Sequence, residues 1–331
     1  MTARRAIFGD DAIEPMRASV AELVAARLGT GVAEWLFTIE RRSVTSALAL
    51  ADGRGVVVKA HPPASMGAAR LAAVQSVQRH LADSGFACPW PLVEPVRLGR
   101  GIAVVESLLD GGRSPDPCSV EDRRAMARVL AAITTACEPL RPLLQLHVRG
   151  VPGLPAGALW PPPPDPRLVL SDSSEAAWID GIGAHARRFR TRPASAPLVI
   201  GHGDWHVEHL RLDGAKAAAV YDWDSLLEAP EPFLVGCAVG GFTADWSVDE
   251  PPVVPNREAA TRFVADYEEA RGRRFSPAER ATTDAHWLEM TAYAARIELA
   301  QEEAGLAATR SYRAELSEHA ERLIASGYGS R

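Results

Sequence analysis

The sequence predicts an α+β protein in two parts: a small N-terminal part on an antiparallel sheet, then a larger, mainly helical C-terminal part. Three observations carry this. Short β-type runs crowd residues 33–60 and 101–109. The segment "DGGRSPDP" (110–117) follows them with the composition of a linker. Beyond it, apolar residues recur at helical spacing in one segment after another, interrupted by a single β-like island at 197–226. The expected division is 1–108 and 109–331.

Each element has its own signal. Residues 12–28 place apolar side chains on one helical face. Runs at 33–39, 44–50 and 55–60 read as strands, and "ADGRG" between the last two is a hairpin turn. Residues 66–84 are Ala- and Leu-rich, predict a helix, and stop at Gly85. "ACPWPL" (87–92) reads as a Pro-interrupted loop, and "GIAVVESLL" (101–109) as a further strand. In the second part, helices are expected near 119–145, 174–191, 256–271, 277–304 and 309–325. The proline-rich stretch 151–167 reads as a surface loop. Within the island, "LVI" is a short strand, and "HLRL" and "AAAVYD" flank an Asp-Gly turn. That turn pairs Leu212 with Ala217, Leu210 with Ala219 and Glu208 with Tyr221.

Composition narrows the function. At 331 residues, 47% hydrophobic and 24% charged, the chain is globular, and its net charge of −6 argues against a nucleic-acid partner. Residues 1–108 carry 12 basic and 10 acidic side chains, so the remainder carries 24 against 32, a surplus of acid compatible with a cationic partner. There is no apolar run long enough to span a membrane, and "MTARRAIFGDDAIEP" lacks the apolar stretch of a secretory signal. Cys88, Cys118, Cys137 and Cys237 lie far apart without CxxC spacing, which fits reduced thiols and a cytoplasmic location.

Two local features point to chemistry. Of 36 basic residues only Lys59 and Lys216 are lysine. A lysine retained in so arginine-rich a chain suggests a need for a compact ammonium. The second feature is "GHGDWHVEHL" (201–210), with His202, His206 and His209 around Asp204 and Glu208. These are residue types that zinc accepts, although the spacing is not the HExxH of metalloproteases. The alternative reading uses the whole island. The hairpin register carries His209 toward Asp222, with Asp204 just upstream. Two carboxylates so placed suit phosphoryl transfer, one accepting a proton from the attacking hydroxyl and the other holding magnesium.

"HGDWHVEH" followed by "VYDWDS", with "VVVKAHPP" and "VVESLLDGG" upstream, resembles the signature of the aminoglycoside phosphotransferases and related small-molecule kinases. The resemblance implies a two-lobed protein-kinase-like fold and transfer of the γ-phosphoryl group of ATP or GTP to a hydroxyl of a small molecule. An aminoglycoside or nucleoside antibiotic would be such an acceptor, in resistance or self-protection. Asp204 would be the catalytic base. Asp222 would hold Mg²⁺, with His209 at the second metal position and Mn²⁺ as the other candidate ion. Lys59 would pair with nucleotide phosphates, and Ser43, Thr45 and Ser46 would offer them hydroxyls and N–H groups. Glu106, Ser107 and Leu108 would present hinge backbone groups to a purine. Trp205, His206, Asp224 and the acidic segments 245–250 and 266–269 would lie on the acceptor side, with His202 holding the loop. The implied partners are nucleotide and acceptor alone, without nucleic acid or membrane.

Two departures from the family pattern keep alternatives open. His209 stands where an asparagine is expected, and residues 66–82 contain no acid to pair with Lys59. Gln75, Gln78 or the nucleotide's own charge would take that part. The alternatives are a nucleotide-binding pseudokinase and a zinc hydrolase built on His202, His206 and His209.

Overall fold

The computed structural model describes residues 2–63, 65–143, 145–146, 158–163, 165, 167–190, 196–245, 253–306 and 311–325. The chain divides into two compact units. One comprises Met1–Gly112 with Ala218–Asp224, the other Arg113–Ala217 with Ser225–Arg331. The first unit therefore takes in seven residues from far along the chain.

In the first unit, α1 (Ala3–Phe8) and α2 (Ile13–Leu28) precede β1 (Val32–Glu40), β2 (Val44–Leu50) and β3 (Gly55–His61). Then come α3 (Ala68–Asp83), β4 (Pro91–Leu98) and β5 (Gly101–Ser107). The strands form one antiparallel sheet in the order β1-β2-β3-β5-β4. Successive side chains on a strand alternate between faces. Val44, Leu48, Val56, Val58, Ala60, Ala103 and Val105 point one way and close a core with Ile7, Met16, Val20 and Val24 of α1 and α2. The other face presents Thr45, Val57, Lys59, Val104 and Glu106, because Thr45 pairs with Lys59, Lys59 with Val104, and Val57 with Glu106.

Strand β4 begins inside the segment expected as a proline loop. It lies at the sheet edge, where a missing N–H costs no ladder bond, and its register slips between Val93 and Val96, around Pro95.

The second unit contains α4 (Val120–Ala136), α5 (Ser174–Arg190), β6 (Leu198–His202) and β7 (Leu210–Asp213). After β8 (Lys216–Val220), within which the division between units falls, come β9 (Leu226–Pro230), α6 (Glu231–Gly241), α7 (Arg257–Arg271), α8 (Pro277–Glu303) and α9 (Ser311–Ala325). Helix α4 stops at Ala136, short of the expected 145, and a 3₁₀ turn carries the chain through Pro139. Helix α8 starts at a complete capping box, Ser276 with Glu279, with Pro277 in its first turn. Helices α5, α8 and α9 share a core of Ile179, Ile182, Leu288, Leu299, Tyr312 and Leu316.

Helix α6 and strand β9 lie where the sequence pattern predicts no element. Every residue of α6 is buried, so "EPFLVGCAVGG" has no polar face and no periodicity to read. Most of the loop expected at 151–167 and residues 246–250 lie outside the described residues. No helix among the described residues is long and apolar enough to cross a membrane.

Candidate active site

The first unit gathers a charged cluster around Lys59. The "YDWD" segment is fastened to this unit at several points. Val220 N–H donates to the Ala87 carbonyl at 2.9 Å, and Tyr221 Oη–H to the Leu109 carbonyl at 2.9 Å. Trp223 is buried edge-on against Phe86, its indole N–H bonded to the Val220 carbonyl at 2.7 Å. The carboxylates flanking the pinned tryptophan both turn to one ammonium. Lys59 Nζ donates to Asp222 Oδ1 and, at 2.5 Å, to Asp224 Oδ1. Asp222 has φ of 60°, the only positive φ of a non-glycine residue among those described. Left-handed backbone is unfavourable there and persists only where surrounding contacts hold it.

Burial works against the charge on Lys59, but Asp222 and then Asp224 outweigh it, so its pKa is raised and the ammonium is secure. His61 lies 3.8 Å from Asp224 Oδ2, and burial, stronger than that attraction, lowers its pKa. Two carboxylates share one ammonium here, and Arg70 of α3 adds a second positive charge that acts on Asp224.

Neither glutamine of α3 bonds the lysine. Gln75 donates to the Val93 carbonyl, and Gln78 donates to Glu106 Oε2 at 2.8 Å. The missing helix acid has a counterpart on β5. Glu106 stands two residues beyond Val104, the cross-strand partner of Lys59, so the two are diagonal neighbours on one face, about 7–8 Å apart in such ladders. Burial pushes the Glu106 carboxyl up to about 7, while the bond from Gln78 and the charge of Lys59 act the other way. Sequence reasoning assigns Glu106 a backbone role only and misses its side chain. The register of β3 and β5, once known, finds it.

Other expectations of this unit divide. Thr45 sits beside Lys59, and Ser43 lies at the turn before β2, its carbonyl accepting from Arg41 N–H. Ser46 is on the opposite face, 1% exposed, its hydroxyl 3.3 Å from that of Thr38, so it belongs to the core side. The N–H groups of Ser107 and Leu108 donate to the carbonyls of Trp90 and Gly55.

The second unit presents a local cluster. Strand β6 pairs with β9, and His202 opposes Leu226. Gly203 N–H bonds to the Ser225 carbonyl at 2.9 Å, and a Cβ on Gly203 would lie 2.4 Å from Leu227 Cδ1, so a glycine is needed there. His202 is wholly buried, and its Nδ1 accepts the Asp204 N–H at 3.3 Å. Asp204 leaves the strand with its side chain 48% exposed. A 3₁₀ turn at Val207–His209 then curls back, and His209 Nδ1–H donates to the Asp204 carbonyl at 2.8 Å. Glu208 thus lies in a turn ahead of β7, outside the expected ladder. His206 Nε2 is 3.4 Å from Asp204 Oδ1, and the His206 and His209 rings stack at 5.4 Å. Asp204, His206 and His209 each offer a donor atom within 4.8 Å of the others. The metal-competent trio therefore contains Asp204 in place of the expected His202.

Three acceptor-side expectations are corrected. Asp224 is paired with Lys59, in the cluster expected to meet the nucleotide's phosphates. Trp205 is 1% exposed and packs edge-on against His202, so it is core. The acids of 266–269 are largely committed to arginine. Asp266 pairs with Arg123 and Arg124, and Glu268 is buried against Arg274, Arg280 and the N–H of Phe275.

The sheet order and the division into two units are those of a two-lobed, protein-kinase-like fold, which solved structures of kinase and phosphotransferase type share. An amicoumacin kinase in complex with AMP-PNP, Ca²⁺ and its ligand matches with TM-score 0.62 at 10% identity, covering 96% of this chain and 97% of that one. A thermostable mutant of an aminoglycoside phosphotransferase, APH(4)-Ia, in ternary complex with AMP-PNP and hygromycin B, matches with TM-score 0.56 at 15% identity, covering 94% and 99%. A fructosamine-3-kinase, described as putative, from Thermobifida fusca matches with TM-score 0.54 at 17% identity, covering 93% and 99%. No curated protein matches by sequence. The chain belongs to the phosphotransferase enzyme family, whose model matches residues 40–273.

Proposed function

We propose that this phosphotransferase moves the γ-phosphoryl group of ATP or GTP to a hydroxyl of a small molecule of antibiotic type. The single observation that carries the reading is the Lys59–Asp222–Asp224 cluster. Phosphoryl transfer requires a cation for the donor's phosphates and carboxylates for a metal ion, and catalysis rests on positioning them. An amicoumacin kinase and a phosphotransferase complexed with hygromycin B, both similar in structure, support an antibiotic acceptor. A cationic acceptor gains little from Asp266 and Glu268, which are paired with arginines.

The first unit would bind the donor. Lys59 would exchange its aspartates for phosphate oxygens, and Thr45 would stand beside it. The donor set fits a hard divalent ion, since Asp222 and Asp224 both offer carboxylate oxygens. When bound, the ion neutralises charge on the donor's phosphate oxygens. His209, with its Nδ1 proton committed to the Asp204 carbonyl, leaves Nε2 as donor, an imidazole that suits Mn²⁺ better than Mg²⁺. In the second unit Asp204 would accept the proton of the attacking hydroxyl, its exposed carboxylate steadied by bonds to its own backbone from His202 and His209.

The test is a panel of hydroxylated antibiotics incubated with ATP or GTP and Mg²⁺ or Mn²⁺, read by mass spectrometry for one added phosphate. Phosphorylated product that disappears in Asp222→Ala is expected. A nucleotide-induced thermal shift with no product from any acceptor would replace the reading with that of a pseudokinase.

A further inference from the structure

We propose that Asp204, His206 and His209 form a transition-metal site that takes Zn²⁺, and that an ion bound there switches the enzyme off. Binding is argued from geometry alone; its consequence rests on the reading of Asp204 as the base.

The donor set is a carboxylate and two imidazoles, which suits Zn²⁺ or Co²⁺ rather than Mg²⁺ or Ca²⁺. Their donor atoms already lie within 4.8 Å of one another. The ligands are also held in orientation. The Asp204 carbonyl can only accept, so His209 carries its proton on Nδ1 and keeps the Nε2 lone pair for a metal. His206 stacks on His209 with 26° between ring planes, and its Nε2 is 3.4 Å from Asp204 Oδ1. Gly241 keeps the space beside that nitrogen, since a Cβ there would sit 2.6 Å from Nε2. Glu208 Oε1 lies 3.7 Å from His209 Nε2, a further carboxylate at the edge of the cluster. The half-exposed Asp204 side chain leaves solvent access for water ligands.

The consequence follows from electron pairs. A carboxylate that donates to Zn²⁺ is a poorer proton acceptor, so a substrate hydroxyl loses its base while Lys59, Asp222 and Asp224 are untouched. Zinc would therefore suppress turnover while the nucleotide keeps Lys59, Asp222 and Asp224, although zinc takes the His209 nitrogen otherwise offered to the donor's ion.

Co²⁺ titrated into the metal-free, full-length Cys118→Ser protein provides the test, the substitution removing the exposed thiol. Expected are visible d–d bands that saturate at one equivalent, show no thiolate charge-transfer band, and bleach on adding one equivalent of Zn²⁺. His206→Ala and His209→Asn, each checked by thermal melting, should lose the bands. Their absence in the unsubstituted triad, or their survival in both folded variants, overturns the site. With Mg²⁺ and nucleotide saturating, turnover should fall in proportion to zinc bound. Full occupancy with undiminished turnover overturns the switch. Lack of turnover without zinc would defeat the proposed function instead, and leaves the cobalt spectrum readable.

Discussion

The charged cluster of the first unit joins side chains 163 residues apart, whereas that of the second lies within eight consecutive residues. They are also held differently. Lys59, Asp222 and Asp224 satisfy one another as ions, and the segment carrying the aspartates is fixed by a buried tryptophan. Asp204 is held through its backbone, by imidazoles that bond its N–H and C=O and leave its carboxylate exposed. A group that must grip a polyanion can be stored as an ion pair and released when a stronger partner arrives. A group that must accept a proton is better left in solvent, with its orientation set from behind. The two clusters therefore differ in what they leave free: the first holds its charges paired, and the second keeps a carboxylate in solvent.

Substitutions put that contrast to the test. The largest effect is expected for Asp204→Ala, which should lower kcat by about 10²–10⁴-fold while the nucleotide-induced thermal shift stays as in the parent. Loss of the shift as well would end the division of labour. Next is Lys59→Met, which takes from Asp222 and Asp224 the cation they share. We expect a loss of about 2 kcal/mol of stability in denaturant titration, between the exposed and buried limits for ion pairs, together with loss of the thermal shift. Lys59→Arg keeps the charge but not the shape, and turnover should fall about tenfold; undiminished activity would mean charge alone suffices.

Glu106→Gln is subtler and is read in pH. With its pKa raised from 4.5 to about 7 in the folded state, Glu106 retains its proton where the unfolded chain has lost it. Its contribution is therefore most favourable below about pH 4.5 and declines as pH rises to about 7. The Gln variant should flatten that part of the melting-temperature profile, and an unchanged slope would remove Glu106 as its source. The smallest effect is expected for His209→Asn. An amide N–H can still reach the Asp204 carbonyl and adds an oxygen donor, so Mg²⁺-dependent turnover should be kept or raised. Abolished turnover would give the imidazole a role of its own.

Legibility followed distance along the chain. The histidine-aspartate cluster is local, so its members could be named from spacing, and Lys59 stood out from a chain that otherwise uses arginine. The helical pattern of α3 and α7 was equally plain, since each has one apolar and one polar face, and α2 buries Met16, Val20, Leu23 and Val24 at helical spacing. Wholly buried α6 has no such contrast, and β4 hid behind two prolines that only an edge position excuses. Trp205, Asp266 and Glu268 were misjudged for one reason. A side chain's neighbours decide whether it meets solvent, and those neighbours, His202 for the first and arginines for the others, pack or pair with it only in the fold.

By itself, the sequence determined the α+β character and the family, and it offered candidates for acid–base and metal-ligating groups, because these depend on composition, period and short motifs. Tertiary structure alone decided that Asp222 and Asp224 share Lys59, that Glu106 faces the lysine through strand register, and that Asp204 rather than His202 joins His206 and His209. Each of those facts depends on which backbone face a side chain leaves from, and a one-residue change in register or turn would reverse it.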